Sequence, residues 1–428
     1  MVAREGGDNA GMSTTVGDSN GAARPLPPGS SDLAGLIAAL LSDPRRPDPS
    51  RLPEGDAAAP EEVLSEPASS TVRPLSGPTG LGTSAARLAG DLAAVTDGGD
   101  QEDEADEADE PMPELFCPGP LRDDPALGEI VNELLVEWAE QVGIYPGRLD
   151  RLREANFGRL IMLTHPATSD PDRLLAAAKC IAAEWAADDY FVDEVELGAD
   201  PDVLGSRLMK LYAVIDPADL PGQYQPELDE YLREEPIATA FRSAMQHLAR
   251  YASVTQMARF QHQMAFMFVA WDQEADWHRN ERTPRVWEYL VQRHFDSYLP
   301  PMILIDPLAG YELPPNEYYD RRVRRAFKMA GAANVLINDL HSEGFESEHD
   351  YNLPRVIAAE EGCSHEEAIR RTVEIHNELM HTFVKEAGAL SLVGSPMLRR
   401  FFLDTWAWLG GSREWHATTR KYKHADDV

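Results

Sequence analysis

Two clusters of oxygen-bearing side chains, 150 positions apart, could hold hard divalent cations. The first lies in Asp188-Asp189-Tyr190-Phe191-Val192-Asp193-Glu194, the second in Asn338-Asp339-Leu340-His341-Ser342-Glu343-Gly344-Phe345-Glu346. On a helix, Asp189 and Asp193 fall within about 40° of each other, with Asp188 about 100° behind Asp189. Three carboxylates crowded at one helix end repel one another unless a cation or solvent neutralises them. Mg2+ or Mn2+ suits such ligands, binding through a few carboxylates, waters and substrate phosphate. Asn338, Ser342 and Glu346, at i, i+4 and i+8, share a stripe about 80° wide. An amide, a hydroxyl and one carboxylate can complete a metal's shell beside phosphate oxygens without overcharging it. Either cluster alone would also suit a solvated helix end in a chain of net charge −34.

The elements that must carry these residues lie in the C-terminal three quarters of the chain. Residues 1–115 contain no aromatic residue and hold 22 Asp+Glu against 7 Lys+Arg. Too little apolar surface is available there to offset chain entropy, so a disordered Pro/Gly/acidic extension is expected over 1–114. It includes two short apolar islands, Leu33–Leu41 and Ala85–Val95, and the acidic run Asp97–Glu110. From Asp124 the pattern is helical. Leu127, Ile130, Val131, Leu134, Leu135, Trp138 and Val142 recur at three- and four-residue spacing and are expected to form one buried face.

Further helices are expected over Asp150–Leu163, Asp172–Glu194, Ile237–His278, Arg285–Tyr298, Pro314–Ser342, His365–Ala389 and Leu398–Trp415. Largely apolar stretches, Leu174–Trp185 and Ala330–Ile337, lead into the two clusters, so both should emerge from buried helices. The expected fold class is all-α, with one domain over 115–428. Three scattered cysteines exclude a disulfide framework or thiolate metal site. The absence of a basic stripe argues against nucleic acid, and the absence of a long apolar run argues against membrane insertion. A cytoplasmic location is expected, with a homodimer left open.

Taken together, the two clusters resemble the metal motifs of class I terpene synthases. The first matches DDxxD/DDxxxD/E and the second (N/D)Dxx(S/T)xxxE. The resemblance covers roughly 115–425 and implies a helical bundle around an apolar pocket, with both motifs at its mouth. It implies that Asp188 and Asp193, with Asp189 nearby, and Asn338, Ser342 and Glu346 hold three Mg2+ ions; Glu194 is an alternative to Asp193. The substrate implied is a small prenyl diphosphate. Glu288-Tyr289-Leu290-Val291-Gln292-Arg293 is similar to the segment ending in the family's diphosphate-sensing arginine, and Arg293 stands 45 positions before Asn338. Trp415-His416-Ala417-Thr418-Thr419-Arg420-Lys421-Tyr422 is similar to the Arg-Tyr pair that closes over the diphosphate, here interrupted by Lys421. Arg293, Arg420 and Tyr422 are thus the implied diphosphate ligands, arginine's planar fork suiting phosphate oxygens. Phe345 replaces a lysine common in the family, so Lys328 and Lys421 are candidates to supply that contact.

A narrower likeness rests on Phe116-Cys117-Pro118-Gly119-Pro120-Leu121-Arg122-Asp123-Asp124-Pro125 and Trp138-Ala139-Glu140-Gln141-Val142-Gly143-Ile144-Tyr145. These resemble the 2-methylisoborneol synthase subfamily. The likeness implies ionisation of 2-methylgeranyl diphosphate and cyclisation, with water ending the reaction. Val192 and Asp193 stand where that subfamily usually has Cys and Glu. The alternatives are a 2-methylenebornane synthase, a sesquiterpene synthase on farnesyl diphosphate, and a non-enzymatic acidic helical scaffold. Phe191, Trp271, Trp277 and Trp406 are candidates to stabilise a carbocation through their ring faces, or plain core.

Overall fold

Helix α1 (Pro125–Val142) starts where Asp124 accepts a hydrogen bond from the Leu127 N–H at 3.1 Å and Pro125 occupies the first turn. It stops at Gly143, whose φ of 82° only glycine adopts without strain. Leu127, Val131, Leu135 and Trp138 of α1 are buried, as expected, but Ile130 is 51% and Leu134 36% exposed. The buried stripe is narrower than the apolar pattern because only one flank of α1 meets other helices. In the computed structural model the described residues are 112–193, 197–342 and 350–419. Apart from its last three residues, the expected extension, with both apolar islands and its acidic run, lies outside them.

After α2 (Leu149–Ala155) and α3 (Phe157–Thr164) comes α4 (Pro171–Asp188), which delivers the first cluster. Its alanines at 176, 177, 178, 182, 183, 186 and 187 are buried. Small side chains let α4 lie close to α1 and to α7 (Pro236–Leu248), which follows α5 (Leu204–Ile215) and α6 (Gln225–Glu234). A single helix was expected over Ile237–His278. The chain instead breaks after α7, and α8 (Val254–Arg279) restarts with a capping box between Ser253 and Gln256. Helix α9 (Val286–Phe295) carries Arg293. Single-turn helices α10 (Leu299–Met302), α11 (Ile305–Leu308) and α12 (Pro315–Tyr318) then bridge to α13 (Arg321–Ser342), which delivers the second cluster. The expected Pro314–Ser342 helix is therefore split just before Arg321.

Helices α14 (Leu353–Glu361), α15 (His365–Val393) and α16 (Pro396–Thr418) complete an all-α bundle with no strand among the described residues. Long α15 packs along α13, and α16 crosses α3. At that crossing Gly411 is obligatory in steric terms: a Cβ there would lie 2.5 Å from the backbone carbon and oxygen of Leu163. No described helix is long and apolar enough to cross a membrane. All three cysteines are free.

Candidate active site

The α-helical hydrogen bonding of α4 ends at Asp188 and gives way to a π-helical turn over Asp189–Asp193. A π turn bonds residue i to i+5 and so takes about one residue more per turn than an α-helix. The expectation that grouped Asp189 with Asp193 used α-helical spacing, which this turn does not have. Asp189 accepts a 2.6 Å hydrogen bond from the Tyr145 hydroxyl. Tyr145 is buried, and its backbone N–H donates to the Tyr190 hydroxyl at 3.0 Å. Burial, and then the Asp189 charge, push the Tyr145 hydroxyl well above its usual pKa, so it remains a donor. Trp185, Asp188 and Asp189 are partly exposed while Ala186 and Ala187 are buried, so Trp185 and Asp188, three apart, open on the same side. The side chain of Asp193 and all of Glu194 lie outside the described residues.

On α13 the second cluster emerges as expected, with Asn338 partly exposed and Ser342 buried one turn later. Glu346 lies outside the described residues, as do Phe345, Arg420, Lys421 and Tyr422. Among the described residues no group of three His, Cys, Asp or Glu side chains stands ready to hold a metal.

Arg293, on α9, is bound to the second cluster and to Asp296. Its Nη2 donates to Asn338 Oδ1 at 3.0 Å and to Asp339 Oδ1 at 2.7 Å, and its Nε donates to the same Asp339 oxygen at 3.0 Å. Its Nη1 donates to Asp296 Oδ2 at 2.6 Å. Burial lowers the guanidinium's proton affinity, but Asp339, Tyr289 and Asp296 outweigh it, leaving the pKa well above the usual arginine value. Asp339 is fully buried and also accepts from the Tyr289 hydroxyl at 2.9 Å and the Leu353 N–H at 3.2 Å. It is the anchor that orients Arg293 beside Asn338. Neither Asp339 nor Tyr289 was picked out as a positioning residue from sequence, although both lie inside the quoted motifs.

Asp296 extends the network toward α4. It accepts from the Trp271 indole at 3.1 Å, and its charge raises the pKa of Glu184. Glu184 is buried one turn before Asp188, with Oε2 lacking any hydrogen-bond partner. Burial first, then Asp296, hold its carboxyl well above the ordinary carboxylate range.

Aromatic residues cluster at this end. Trp185 contacts Phe157, Tyr298 and Trp415 with ring centroids 4.8, 5.9 and 6.1 Å away. The Tyr298 hydroxyl meets His416 Nε2 at 2.9 Å, while His416 Nδ1 lies 2.8 Å from the Ser412 carbonyl. That contact makes Nδ1 the donor and Nε2 the acceptor. Of the expected cation-stabilising rings, Phe191 gives its face to Arg207 at 3.7 Å and Trp406 packs between Phe116 and Phe383. Both therefore belong to the core. Trp277 packs on Tyr351, and Trp271 is tied to Asp296. Lys328 is also displaced from its expected role. It sits fourteen residues before Ser342 on one helix, about 21 Å along the axis.

A family model described as Terpene synthase family 2, C-terminal metal binding, matches residues 179–382. The 2-methylisoborneol synthase of Streptomyces griseus is 33% identical over 386 residues, spanning 87% of this chain and 86% of its own. That of Saccharopolyspora erythraea is 35% identical, over 72% of this chain and 89% of its own. A crystal structure of 2-methylisoborneol synthase from Streptomyces coelicolor A3(2), in complex with Mg2+ and 2-fluoroneryl diphosphate, aligns with a TM-score of 0.69. The identity is 31%, and the alignment covers 73% of this chain and 98% of that one. The helical fold, the paired oxygen-ligand motifs and these matches place the chain in the class I terpene synthase family. It is a lyase of that class, and the relatives it matches at 33% and 35% identity are 2-methylisoborneol synthases.

Proposed function

We propose that the protein uses Mg2+ to ionise 2-methylgeranyl diphosphate and cyclises the cation to 2-methylisoborneol, releasing diphosphate. The reading is carried by one observation. Relatives named for that activity match over most of their length, and in this chain Arg293 is locked between Asn338 and Asp339.

The donor set is hard oxygen throughout, which fits Mg2+. Asp188 and Asp193 on one side, and Asn338, Ser342 and Glu346 on the other, would hold three ions, with Asp189 fixed behind them by Tyr145. When bound, Mg2+ supplies Lewis-acid stabilisation of the leaving diphosphate. The chain's own part is electrostatic and positional. Arg293, Arg420 and Tyr422 would donate to the phosphate oxygens as negative charge builds on them. The allylic carbon–oxygen bond breaks with both electrons going to the diphosphate. Trp185, partly exposed on the same side as Asp188, offers an aromatic face whose quadrupole favours a cation. Addition of water to the final bornyl-type cation, with its proton passing to solvent or diphosphate, gives the alcohol.

The test is incubation with Mg2+ and 2-methylgeranyl, geranyl or farnesyl diphosphate in parallel, with products identified by gas chromatography and mass spectrometry. The expected result is 2-methylisoborneol from the methylated substrate. Chiefly 2-methylenebornane would move the assignment to deprotonation, and products from farnesyl diphosphate alone would overturn the substrate.

A further inference from the structure

The N-terminal half of α13 carries a charge pattern opposite to that of the protein as a whole. Arg321, Arg324, Arg325 and Lys328 line one groove of about 560 Å³, in a chain of net charge −34. Cations at the N-terminal end of a helix face the positive end of its dipole, an arrangement that costs stability unless something compensates. The described carboxylates compensate little of it. Arg325 pairs with Glu386 at 3.2 Å, but Arg321, Arg324 and Lys328 form no ion pair among the described residues. Lys328 instead lies over the Phe295 ring at 5.4 Å and Arg324 over the Tyr319 ring at 6.0 Å.

The same field reaches the neighbouring histidines. His294, on the groove wall, is pushed down to about 4 by burial and then by Lys328 and Arg324, and His262 is lowered by burial and the same two cations. Three unneutralised cations thus face one cavity beside neutral histidines. The floor is different in kind: Met329, Ala332 and Leu379 are all partly exposed to it. A groove of this volume is of ordinary size for a small-molecule ligand. It lies at the other end of α13 from Asn338 and Ser342, with Arg324 fourteen residues from Asn338, about 21 Å along the helix.

We propose that this groove is a second, metal-independent binding site for an amphiphilic diphosphate, with the head group held by Arg321, Arg324 and Lys328 and a hydrocarbon chain lying on Met329, Ala332 and Leu379. The proposal rests on reading the substrate as a prenyl diphosphate, but not on its methylation or on the product. Molecules of that class are the small anions that combine a concentrated negative charge with an apolar tail, matching both parts of the groove. Arginine and lysine at unpaired positions gain charge-assisted hydrogen bonds to phosphate oxygens without giving up a carboxylate.

The test is titration calorimetry of the whole protein with geranyl S-thiolodiphosphate in EDTA, where no metal supports binding at Asn338 and Ser342 and no turnover occurs. One site is expected. Arg324→Gln with Lys328→Gln should weaken it at least tenfold, Met329→Glu should weaken it as well, and Asn338→Ala should leave it unchanged. Inorganic pyrophosphate should bind at least tenfold more weakly than the prenylated probe. No binding in EDTA, binding retained by the groove variants, or binding lost in Asn338→Ala would each overturn the proposal. Equal affinity for pyrophosphate would overturn the role of the apolar floor. A groove that fails this test leaves the cyclisation assay untouched, and a failed cyclisation assay leaves this binding measurement standing.

Discussion

Replacing Arg293 by methionine should damage stability and chemistry together, and the two losses can be separated. The substitution removes four hydrogen bonds and the charge facing Asp339 and Asp296. Asp339 is fully buried, so its carboxylate would keep only the Tyr289 hydroxyl and the Leu353 N–H as donors. Breaking a buried ion pair by deleting one partner costs about 3–5 kcal/mol. The surviving donors, and the 17% exposure of the Arg293 side chain, argue for the lower end, about 3 kcal/mol. Unfolding entropy of about 2.1 cal/mol/K per residue over roughly 300 ordered residues makes this a fall in Tm of about 5 °C. Differential scanning calorimetry in EDTA reads that shift without ligand effects, and a diphosphate-release assay with Mg2+ reads the chemistry. Adding Asp339→Asn to Arg293→Met removes the stranded charge, so most of the lost Tm should return while turnover stays absent. An unchanged Tm for Arg293→Met, no recovery in the double variant, or normal diphosphate release from either would refute the reasoning.

Tyr145→Phe removes the donor that fixes Asp189; loss of a hydrogen bond to a charged group, about 1.5–3 kcal/mol, should lower kcat roughly tenfold or more while circular dichroism stays unchanged. Glu184→Gln tests the raised carboxyl beside Asp296. Because the folded-state pKa of Glu184 is raised, its contribution to stability is fully present below the unfolded value near 4.5 and is lost as pH rises through the folded value. The variant should therefore match the parent in Tm at acidic pH and exceed it increasingly toward pH 8; parallel Tm curves across pH would contradict the assignment. Gly411→Ala places a Cβ 2.5 Å from the Leu163 backbone, where neither helix can yield by moving a side chain, and thermal unfolding should show about 1–3 kcal/mol of destabilisation.

The site was more legible than the geometry that arms it. Asp188, Asn338 and Ser342 could be proposed as ligands because metal–phosphate chemistry restricts residue types at fixed spacings, and the structure puts all three on the emerging ends of α4 and α13. The π turn was not legible, since one extra residue per turn changes the backbone and leaves the residue types as they were. The hydrogen bond from Tyr145 to Asp189 was equally hidden, because it comes from a segment more than forty residues earlier. Asp339 went unread because a motif aspartate looks like a ligand, and only burial shows that it serves Arg293. Lys328 was offered for a contact that helical rise alone places out of reach. The break between α7 and α8 was available in principle, since Ser253 and Gln256 form a capping box three residues apart. The outward-facing Ile130 and Leu134 depended on which helices α1 meets, information carried by no local stretch.

A guanidinium has five N–H donors, and Arg293 has committed four of them to Asn338, Asp339 and Asp296. Among the described residues one donor on Nη1 has no acceptor, so a diphosphate arriving at this arginine meets that donor alone unless a neighbour lets go. Asp339 is locked in place by further donors, whereas Asn338 Oδ1 is the same oxygen that the proposed ligation assigns to Mg2+. It cannot serve both with full strength. Cation uptake at Asn338 would loosen the Nη2 bond and turn that donor toward the incoming phosphate, so the two ligands should bind in a preferred order rather than independently. Pre-steady-state mixing should then show a lag when Mg2+ and substrate are added together, and the lag should vanish when Mg2+ is added first.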